Sequence, residues 1–351
     1  MDAIAGAAGE VRASIANRGS RVAISDRMNH LEEVANKWLK PYPFTAVREN
    51  VDVVLVALVV ALGFRTFFLQ PMAIPTGSMQ PTLYGITDRD LRKQAGAEIP
   101  NAFVRLFDSV VRGIGYYQVT AVADGEFQRF EPAETIFPFV KRQRFFVGNQ
   151  PYTVLFPPDK FEERCGLRKG EPFRKGEDII KLKVMGGDRL FVDRVTYNFR
   201  RPRRGEIIIF VTQGIPGLQQ DTHYIKRLVG LSDEKVQIGD DHHLIIDGKR
   251  LDASTPGFEN IYSFEGPPSA NRYSGHTQIS AAAFNSLSLA PKFHSQAQVF
   301  GVRPNHYLVM GDNTMNSYDS RYWGDFPREK VVGKCAFVFW PITGRFGWGF
   351  R

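Results

Sequence analysis

Cysteine is scarce in this 351-residue sequence, which has only Cys165 and Cys335, far apart and without a C-x-x-C pair. Two such cysteines exclude a disulfide-dense scaffold and a cysteine-type structural zinc site. One long-range disulfide stays open, and two inert thiols are the favoured interpretation. The HExxH, P-loop and GxGxxG patterns are also absent. The sequence therefore lacks the usual parts of metal hydrolysis and of nucleotide chemistry.

The sequence also lacks a strong excess of one charge, because its net charge is only +8. No helix-turn-helix, zinc-finger or aromatic RNA-binding pattern accompanies that modest basic balance. We therefore expect no nucleic-acid partner. A hydrophobic content of 43% with 28 phenylalanines predicts a folded, core-rich protein.

Only one long hydrophobic run is present, at residues 51–69, and Arg65 is the charge that interrupts it. Val53–Leu69 would form a helix of about 25 Å, close to the roughly 30 Å hydrocarbon core of a bilayer. Arg65 lies near the far end, where its long side chain can reach the interface. A buried core helix is the alternative. The 50 residues that precede the run argue against a cleavable signal peptide.

Basic residues are more frequent before this run than after it. Lys37, Lys40 and Arg48 fall in the twenty residues before it, and Arg89 is alone in the twenty after it. By the positive-inside rule we expect a single-pass anchor in the cell membrane, with the N-terminus in the cytoplasm and the C-terminal part on the outer face. The lipid bilayer is thus a predicted partner.

The rest of the chain divides by pattern into a tail and a β-rich body. In the tail, residues 1–50, the segment DRMNHLEEVANKWL has helical apolar spacing. We expect residues 86–180 to be an insertion in this body. Its sequence predicts a helix over NAFVRLFDSVVRG and two hairpins, YYQVTAVADGEFQRF and RFFVGNQPYTVLF. Residues 252–306, rich in Ser, Asn, Gly and Pro, suit surface loops. Short strands are predicted at RLFVDRVTY, EIIIFV, HYIKRLVG, KVQIG, HLIID, HYLVMGD and CAFVFW, which favours a β-barrel or sandwich.

Ser78 lies between a glycine and a methionine in PMAIPTGSMQPTL, directly after the apolar run. It is not in a GxSxG elbow, and none of the seven histidines has a triad context. Lys226 of DTHYIKRLVG is a possible activating base, because Tyr224, Lys226 and Leu228 would share one face of a strand. Burial on that face would lower the amine pKa and allow it to deprotonate a serine. The alternative places Lys226 on the solvent face beside Arg227.

Four blocks in order resemble type I signal peptidases, the membrane-anchored Ser–Lys endopeptidases that remove signal peptides from exported preproteins. The resemblance implies a signal-peptidase-like β-barrel or sandwich catalytic domain, residues 70–85 and 181–351, with residues 86–180 as an inserted β-rich subdomain and residues 51–69 as one transmembrane helix. The blocks are FRTFFLQPMAIPTGSMQPTL, GDRLFVDRVTYNFRRPRRGEIIIF, DTHYIKRLVGLSDEKV, and VMGDNTMNSYDSRYWG with VVGKCAFVFWP.

By that resemblance, Ser78 is the nucleophile and Lys226 the general base. Thr76 joins the Ser78 N–H in an oxyanion hole, and Gly77 allows close backbone approach. Ser317 matches the serine that hydrogen-bonds and orients the lysine amine. The charged residues that match the family's supporting network are Asp312, Asp319 and Arg321. The chain departs from many members at Thr314-Met315, where they have Arg-Asp, and in the long separation of Ser78 from Asp188.

The resemblance implies amide hydrolysis through an acyl-enzyme, with no metal or cofactor, after small residues of the Ala-x-Ala type. The preprotein would add as an extended strand beside the serine. The residues that match positions near the family's substrate pockets are Ile74, Met79, Tyr224 and Ile225, with Met72 and Leu83 as weaker candidates.

Two other functions remain open at this stage. A self-cleaving Ser–Lys regulator shares the β core, but such proteins usually carry a DNA-binding domain and lack an anchor. A catalytically silent, membrane-tethered binding protein is the other, and the presence of Ser78, Lys226 and Ser317 opposes it. The sequence leaves the oligomeric state open.

Overall fold

The protein is described from a computed structural model that covers residues 2–39, 44–94, 96–138, 140–263, 274–280 and 287–348. Lys40, used in the charge count, lies outside these residues. Two compact units are formed, Met1–Phe64 and Arg65–Arg351. The helices are α1 Asp2–Ala16, α2 Arg21–Trp38, α3 Thr45–Phe67, α4 Ala102–Phe107, α5 Phe161–Cys165, α6 Thr196–Phe199, α7 Glu259–Tyr262 and α8 Ser320–Trp323.

Short strands make up most of the second unit. In chain order they are β1 Leu69–Ala73, β2 Thr87–Asp90, β3 Ile114–Thr120, β4 Gly125–Phe130, β5 Glu134–Phe137, β6 Val140–Val147, β7 Gln150–Leu155, β8 Pro172–Phe173, β9 Asp178–Met185, β10 Arg189–Asp193, β11 Ile207–Val211, β12 His223–Gly230, β13 Lys235–Ile238, β14 Leu244–Ile246, β15 Lys249–Arg250, β16 Ile279–Ser280, β17 Ser288–Leu289, β18 Phe300–Gly301, β19 His306–Met310, β20 Phe326–Pro327, β21 Val331–Trp340 and β22 Gly347–Trp348.

The first unit contains two helices that pack on each other, α1 and α2, and most of α3. The predicted tail helix is confirmed within α2, where the Ser20 hydroxyl caps the N-terminus by accepting a hydrogen bond from Ala23 N–H at 3.2 Å. Helix α1 was not predicted. It contacts α2 through an ion pair of 2.5 Å between Arg27 and Glu10.

Helix α3 contains the apolar run and is the one described helix long and apolar enough to cross a membrane. Its segment Val47–Phe67 has a mean hydropathy of 1.8 and none of it is buried. The helix ends at Phe67, earlier than the predicted boundary at residue 69. Leu69 leaves the helix because it opens β1, opposite Asp193 of β10.

An eight-stranded antiparallel sheet carries the candidate site. Its order is β1-β10-β21-β11-β12-β19-β20, with β22 against β21. The mostly β fold class is thereby confirmed. The apolar run of β11 is buried on both sides, because Ile207 and Ile209 enter one core cluster while Ile208 and Phe210 enter another. Strand β1 forms an outer edge of this sheet, and β21 joins β10 to β11.

The predicted strands of the body are present, with one shortened. In RLFVDRVTY only Arg189–Asp193 is a strand, since the Asp193 carboxylate accepts from Val195 and Thr196 N–H and starts α6. Tight turns with positive φ join the neighbouring strands. His242 at the β13–β14 turn has a φ of 63°. Asp247 and Gly248, with φ of 49° and 81°, form the turn into β15.

The insertion has two sheets and a hydrophobic core cluster of its own. The three-stranded sheet is β2-β9-β3, and the second sheet contains β4–β8. The predicted hairpin over RFFVGNQPYTVLF is confirmed as β6–β7. The other predicted hairpin is wrong, because β3 pairs with β9, and β4 pairs with β6 and β8. Strand β9, Asp178–Met185, runs past residue 180 and pairs with both β2 and β3.

Residues 252–306 are less superficial than predicted. Phe258, Ile261 and Phe293 are fully buried and join a core cluster with β13 and β14. Apolar side chains spaced within this polar segment fix it to the body. The prediction of surface loops is therefore wrong for these parts, while residues 264–273 and 281–286 lie outside the described residues.

A cavity made in the hydrophobic core of the insertion should destabilise the insertion and leave the main sheet unaffected. Phe145 is fully buried there, so Phe145→Ala should lower the free energy of unfolding of this region by about 3–5 kcal/mol. The matched control is Phe137→Ala in the same sheet, where the ring is 69% exposed and little change is expected. Hydrogen exchange of the full chain measures both. Equal loss of protection in the insertion and in β10–β12 would contradict an independent core.

Candidate active site

Ser78 lies in a short 3₁₀ helix, Gly77–Met79, which follows the edge strand β1. The loop is fixed from both sides by Asp188. Its carbonyl accepts from Ile74 N–H at 2.8 Å, and its carboxylate accepts from Tyr84 N–H at 2.8 Å. Arg345 neutralises the same carboxylate, with nitrogen–oxygen distances of 2.8 and 2.9 Å. Ser78 itself is only 6% exposed.

Lys226 comes from the middle of β12 and reaches the same place. Its Nζ donates to Ser78 Oγ at 2.8 Å and to the Ile225 carbonyl at 3.0 Å. The side chain is 5% exposed, so the solvent-face alternative is wrong. Strand alternation places it with Tyr224 and Leu228, which pack in one core cluster, as predicted.

Burial lowers the pKa of Lys226 from 10.5 to about 8, because the apolar surroundings disfavour the ammonium. The charges of Asp319 and Asp312 oppose this shift, and that of Arg321 adds to it. At pH 7 about one amine in ten would therefore be neutral. A neutral amine beside a serine hydroxyl can act as a general base.

Thr76 and Gly77 precede the serine. The Thr76 Oγ1 lies 3.4 Å from Ser78 Oγ, and the residue is exposed. The Gly77 carbonyl accepts from Asn313 Nδ2 at 3.1 Å, while Asn313 N–H donates to the Ser78 carbonyl at 3.0 Å. Asn313 therefore fixes the backbone of the serine turn. The sequence analysis missed it, although it directly follows Asp312.

Asp312 forms a fully buried ion pair with Arg227. The guanidinium donates from Nε to Oδ1 at 2.7 Å and from Nη2 to Oδ2 at 2.5 Å, and neither side chain is exposed. Thr82 donates to the same Oδ2 at 2.5 Å, and Arg227 also bonds the Gly205 carbonyl at 2.7 Å. The pair thus joins β12 to the loop after Ser78. Its partner Arg227 was treated only as a neighbour of Lys226 in the sequence analysis.

Asp319 and Arg321 form a second fully buried pair. Arg321 donates to the two carboxylate oxygens at 2.8 and 2.9 Å, and Gly311 N–H donates to Oδ2 at 3.0 Å. Burial alone would raise the pKa of Asp319, but the charge and hydrogen bonds of Arg321 outweigh it and lower the pKa. Thr314, at the position that departs from the family pattern, accepts from Arg321 Nη1 at 2.8 Å and from Thr277 N–H at 2.9 Å.

Ser317 is fully buried beside the serine turn but does not hold the lysine. Its hydroxyl interacts with the Asp319 carboxylate and helps to lower the pKa of that carboxyl, while the amine of Lys226 donates to Ser78 and to the Ile225 carbonyl. The predicted contact between Ser317 and Lys226 is therefore absent here. Gly311 explains how close these segments lie, because a Cβ there would be 2.5 Å from the Ser78 carbonyl and in collision with Ser317.

The predicted substrate residues divide into core and partly exposed positions. Met79 and Leu83 are fully buried and Ile74 is 3% exposed, so their side chains fill the core beneath the serine turn. They leave no open surface for a peptide, because the bends of the 74–83 segment turn them inward. Met72 and Ile225 are partly buried against the same core. Tyr224 is partly buried, with its ring centroid 5.6 Å from Lys226 Nζ.

The two cysteines are both free thiols. Cys165 lies in the insertion core, where burial raises its pKa to about 12, and Cys335 lies in β21, where burial also raises the thiol pKa. This outcome agrees with two inert thiols and excludes the long-range disulfide in this structure.

Comparison with known proteins gives one consistent result. The family model described as signal peptidase, peptidase S26, matches residues 178–340, a range that includes Lys226 and Asp312 but not Ser78. Signal peptidase I T of Bacillus subtilis is 33% identical over 174 residues, which cover 49% of this chain and 75% of the relative. A probable signal peptidase I-2 of a Synechocystis species is 32% identical over 156 residues, 44% of this chain and 56% of the relative.

The shared length is limited in other comparisons. The chain spans 56% of the Synechocystis protein and 62% of the signal peptidase I of Leptolyngbya laminosa. A crystal structure of a signal peptidase I from Enterococcus faecalis is 26% identical and covers 38% of this chain and 97% of that one, with a TM-score of 0.24. That score is too low for a structural comparison.

The buried amine predicts an unusual dependence of stability on pH. Because its folded pKa lies below its unfolded value, the unfolded chain binds more protons between about pH 8 and 10.5, and unfolding becomes harder as pH rises through that window. Below pH 8 the buried charge is a constant cost of about 3 kcal/mol or less. Lys226→Met should therefore increase the free energy of unfolding at pH 7 by about 1–3 kcal/mol.

Denaturant unfolding of the full chain in detergent at pH 7 and pH 10 measures this gain, which should shrink at the higher pH. The control is Lys235→Met at the exposed first residue of β13, for which no comparable change is expected. A destabilised Lys226→Met protein at pH 7 would show that the amine is not held at a cost.

Proposed function

The chain belongs to the signal peptidase family, peptidase S26, and from that premise we propose that it is a membrane-anchored serine endopeptidase that removes signal peptides from exported preproteins. Ser78 is the nucleophile and Lys226 the general base. The observation that carries the proposal is the 2.8 Å contact between Lys226 Nζ and Ser78 Oγ in a site with almost no solvent exposure. Membership rests on relatives such as the Bacillus subtilis protein.

In the acylation step the neutral amine of Lys226 takes the hydroxyl proton of Ser78 while Oγ attacks the scissile carbonyl. The negative oxygen that forms is stabilised by the Ser78 N–H and the Thr76 hydroxyl, which lies close to Ser78 Oγ. The resulting ammonium then protonates the leaving amine. A water deprotonated by the same lysine hydrolyses the ester and regenerates the serine.

The hydrogen bond from Lys226 to the Ile225 carbonyl supports this role of the amine. It restricts rotation at Nζ, so that the lone pair of the neutral form can be directed at the serine hydroxyl. Asp319 and Arg321 act on the amine at longer range. The charge of Asp319 raises the pKa of Lys226, and the charge of Arg321 lowers it. Asp312 acts through Arg227, which it keeps paired next to the lysine.

The preprotein would bind as an extended strand at the open edge formed by β1. Small residues of the Ala-x-Ala type would lie beside Thr76 and Ser78, with Met72, Tyr224 and Ile225 as the partly exposed apolar neighbours. Met79, Leu83 and Ile74 would shape these subsites from beneath rather than by direct contact.

Helix α3 is the proposed anchor, with the N-terminal tail in the cytoplasm and the peptidase unit on the outer face of the cell membrane. The support is its length, its apolar composition and its complete exposure in the folded chain. Strand β1 begins two residues after α3 ends, so the proposed substrate edge would start at the membrane surface. A signal peptide also leaves the bilayer there.

The decisive experiment incubates a preprotein with the purified full chain and determines the new N-terminus by sequencing. Cleavage after a small residue is expected for the wild type. Ser78→Ala and Lys226→Met should each reduce the rate by about a thousandfold or more. The matched controls are Ser109→Ala and Lys235→Met at exposed positions, which should cleave normally. Unchanged processing by Ser78→Ala would favour the silent binding protein.

Thr76 provides a separate test of the oxyanion contact. Thr76→Val keeps the shape but removes the hydroxyl, so kcat should fall by about 10²–10³ with little change in KM. Thr76→Ser restores the donor and should recover most of the activity. If valine and serine variants behave alike, the hydroxyl has no part in the transition state.

A further inference from the structure

The connection between β10 and β11 is strongly basic. Residues 194–204 read RVTYNFRRPRR, with five arginines and no acidic residue. This segment contains the short helix α6. Nothing in the proposed peptide hydrolysis requires such a concentration of positive charge.

The shape of this basic loop is fixed by acidic residues at its borders. The Asp193 carboxylate accepts from Val195 N–H at 2.8 Å at one end. At the other end, Glu206 accepts from Arg203 N–H at 2.8 Å and from the Tyr197 hydroxyl at 3.1 Å. Two guanidinium groups are neutralised as well, in the pairs Arg200–Glu206 and Arg204–Glu234. The loop is thus preorganised.

Two of the remaining arginines form no salt bridge in the described part of the chain. These are Arg201 and Arg203, which are both exposed. The neighbouring Phe199 is 84% exposed, unusually high for a phenylalanine. An exposed aromatic ring beside unpaired arginines is typical of a surface that lies in a membrane interface.

A cleft of about 450 Å³ opens beside the loop, lined in part by Arg200, Arg201 and Arg328. Tyr307 lines the same cleft. Burial raises the pKa of Tyr307, and the charges of Arg328 and Arg201 partly offset that rise. The cleft thus contains three arginines and one carboxylate, Glu329, so cationic groups outnumber acidic ones, which suits an anion with several oxygen atoms.

The loop also lies where the chain leaves the apolar helix. Arg194 N–H donates to the Phe68 carbonyl at 3.0 Å, and its guanidinium donates to the Thr66 carbonyl at 3.0 Å. The candidate membrane span ends at Phe67. If α3 crosses the bilayer, these bonds hold the basic loop at headgroup depth.

We propose that this loop binds the phosphates of anionic lipid headgroups, with Arg201 in the cleft beside the loop, Arg203 in a neighbouring cleft as a second contact, and Phe199 in the interface. Guanidinium groups form bidentate, charge-assisted bonds to phosphate. The site goes beyond the proposed peptidase activity and does not depend on it. It would fix the orientation of the peptidase unit on the membrane in addition to the anchor.

The test compares how the detergent-solubilised full chain retains phosphatidylglycerol and phosphatidylcholine, measured as bound-lipid occupancy by native mass spectrometry. Because α3 is present in every variant, its contribution to retention is the same throughout. Arg201→Gln with Arg203→Gln should lower the preference for phosphatidylglycerol about thirtyfold, from roughly fivefold per arginine. The control is Arg168→Gln with Arg174→Gln, an equal loss of exposed positive charge in the insertion, which should keep the preference.

Two outcomes would overturn the proposal. One is an unchanged lipid preference in the Arg201 and Arg203 double variant. The other is full displacement of phosphatidylglycerol from the wild type by millimolar inorganic phosphate, which would identify a free-phosphate site instead of a lipid site. Phe199→Ser should weaken retention of both lipids, because the ring contacts the interface irrespective of headgroup charge. Peptide cleavage is not a readout, so a failed peptidase proposal would leave this result interpretable.

Discussion

The contact between a desolvated lysine and a serine hydroxyl is the constraint on which the rest of the site depends. An ammonium in this position loses its hydration, and a pKa of about 8 shows that the loss is only partly offset. The same loss makes the amine available as a base near neutral pH. Burial of this nitrogen thus lowers the stability of the folded chain and raises the basicity available near neutral pH. The rest of the fold has to offset the lost stability.

Two ion pairs are fully buried near the lysine, and charges from both pairs act on its pKa. Arg227 follows it on β12 and is held by Asp312, while Arg321 is held by Asp319. Asp312 and Asp319 both belong to the short segment 311–319. Gly311 and Asn313 of this segment lie against the serine turn. The segment therefore connects the two pairs and Ser78. Thr314 completes it with a hydroxyl that accepts from Arg321.

Local patterns in the sequence predicted the elements of the fold well and their long-range partners poorly. HYIKRLVG was predicted as a strand because Tyr, Ile and Val, which favour strands, dominate it. Burial of Lys226 could not be decided from that strand, since it depends on Ser78, 148 residues away. Arg227 was missed for the same reason, because its partner lies 85 residues further on. The β3–β4 hairpin was wrong because the two strands pair with more distant strands instead. The Ser317 contact was not found because the Lys226 amine bonds Ser78 and the Ile225 carbonyl.

The order of strands in the main sheet has a consequence for biosynthesis. The Ser78 side, β1 and β10, and the Lys226 side, β11 and β12, are joined through β21, which is made after all four. A ribosome-bound chain that has not yet released residues 331–340 lacks the strand that bridges the two halves. The contact between Ser78 and Lys226 therefore lacks the strand that joins its two sides until late in the synthesis of the chain.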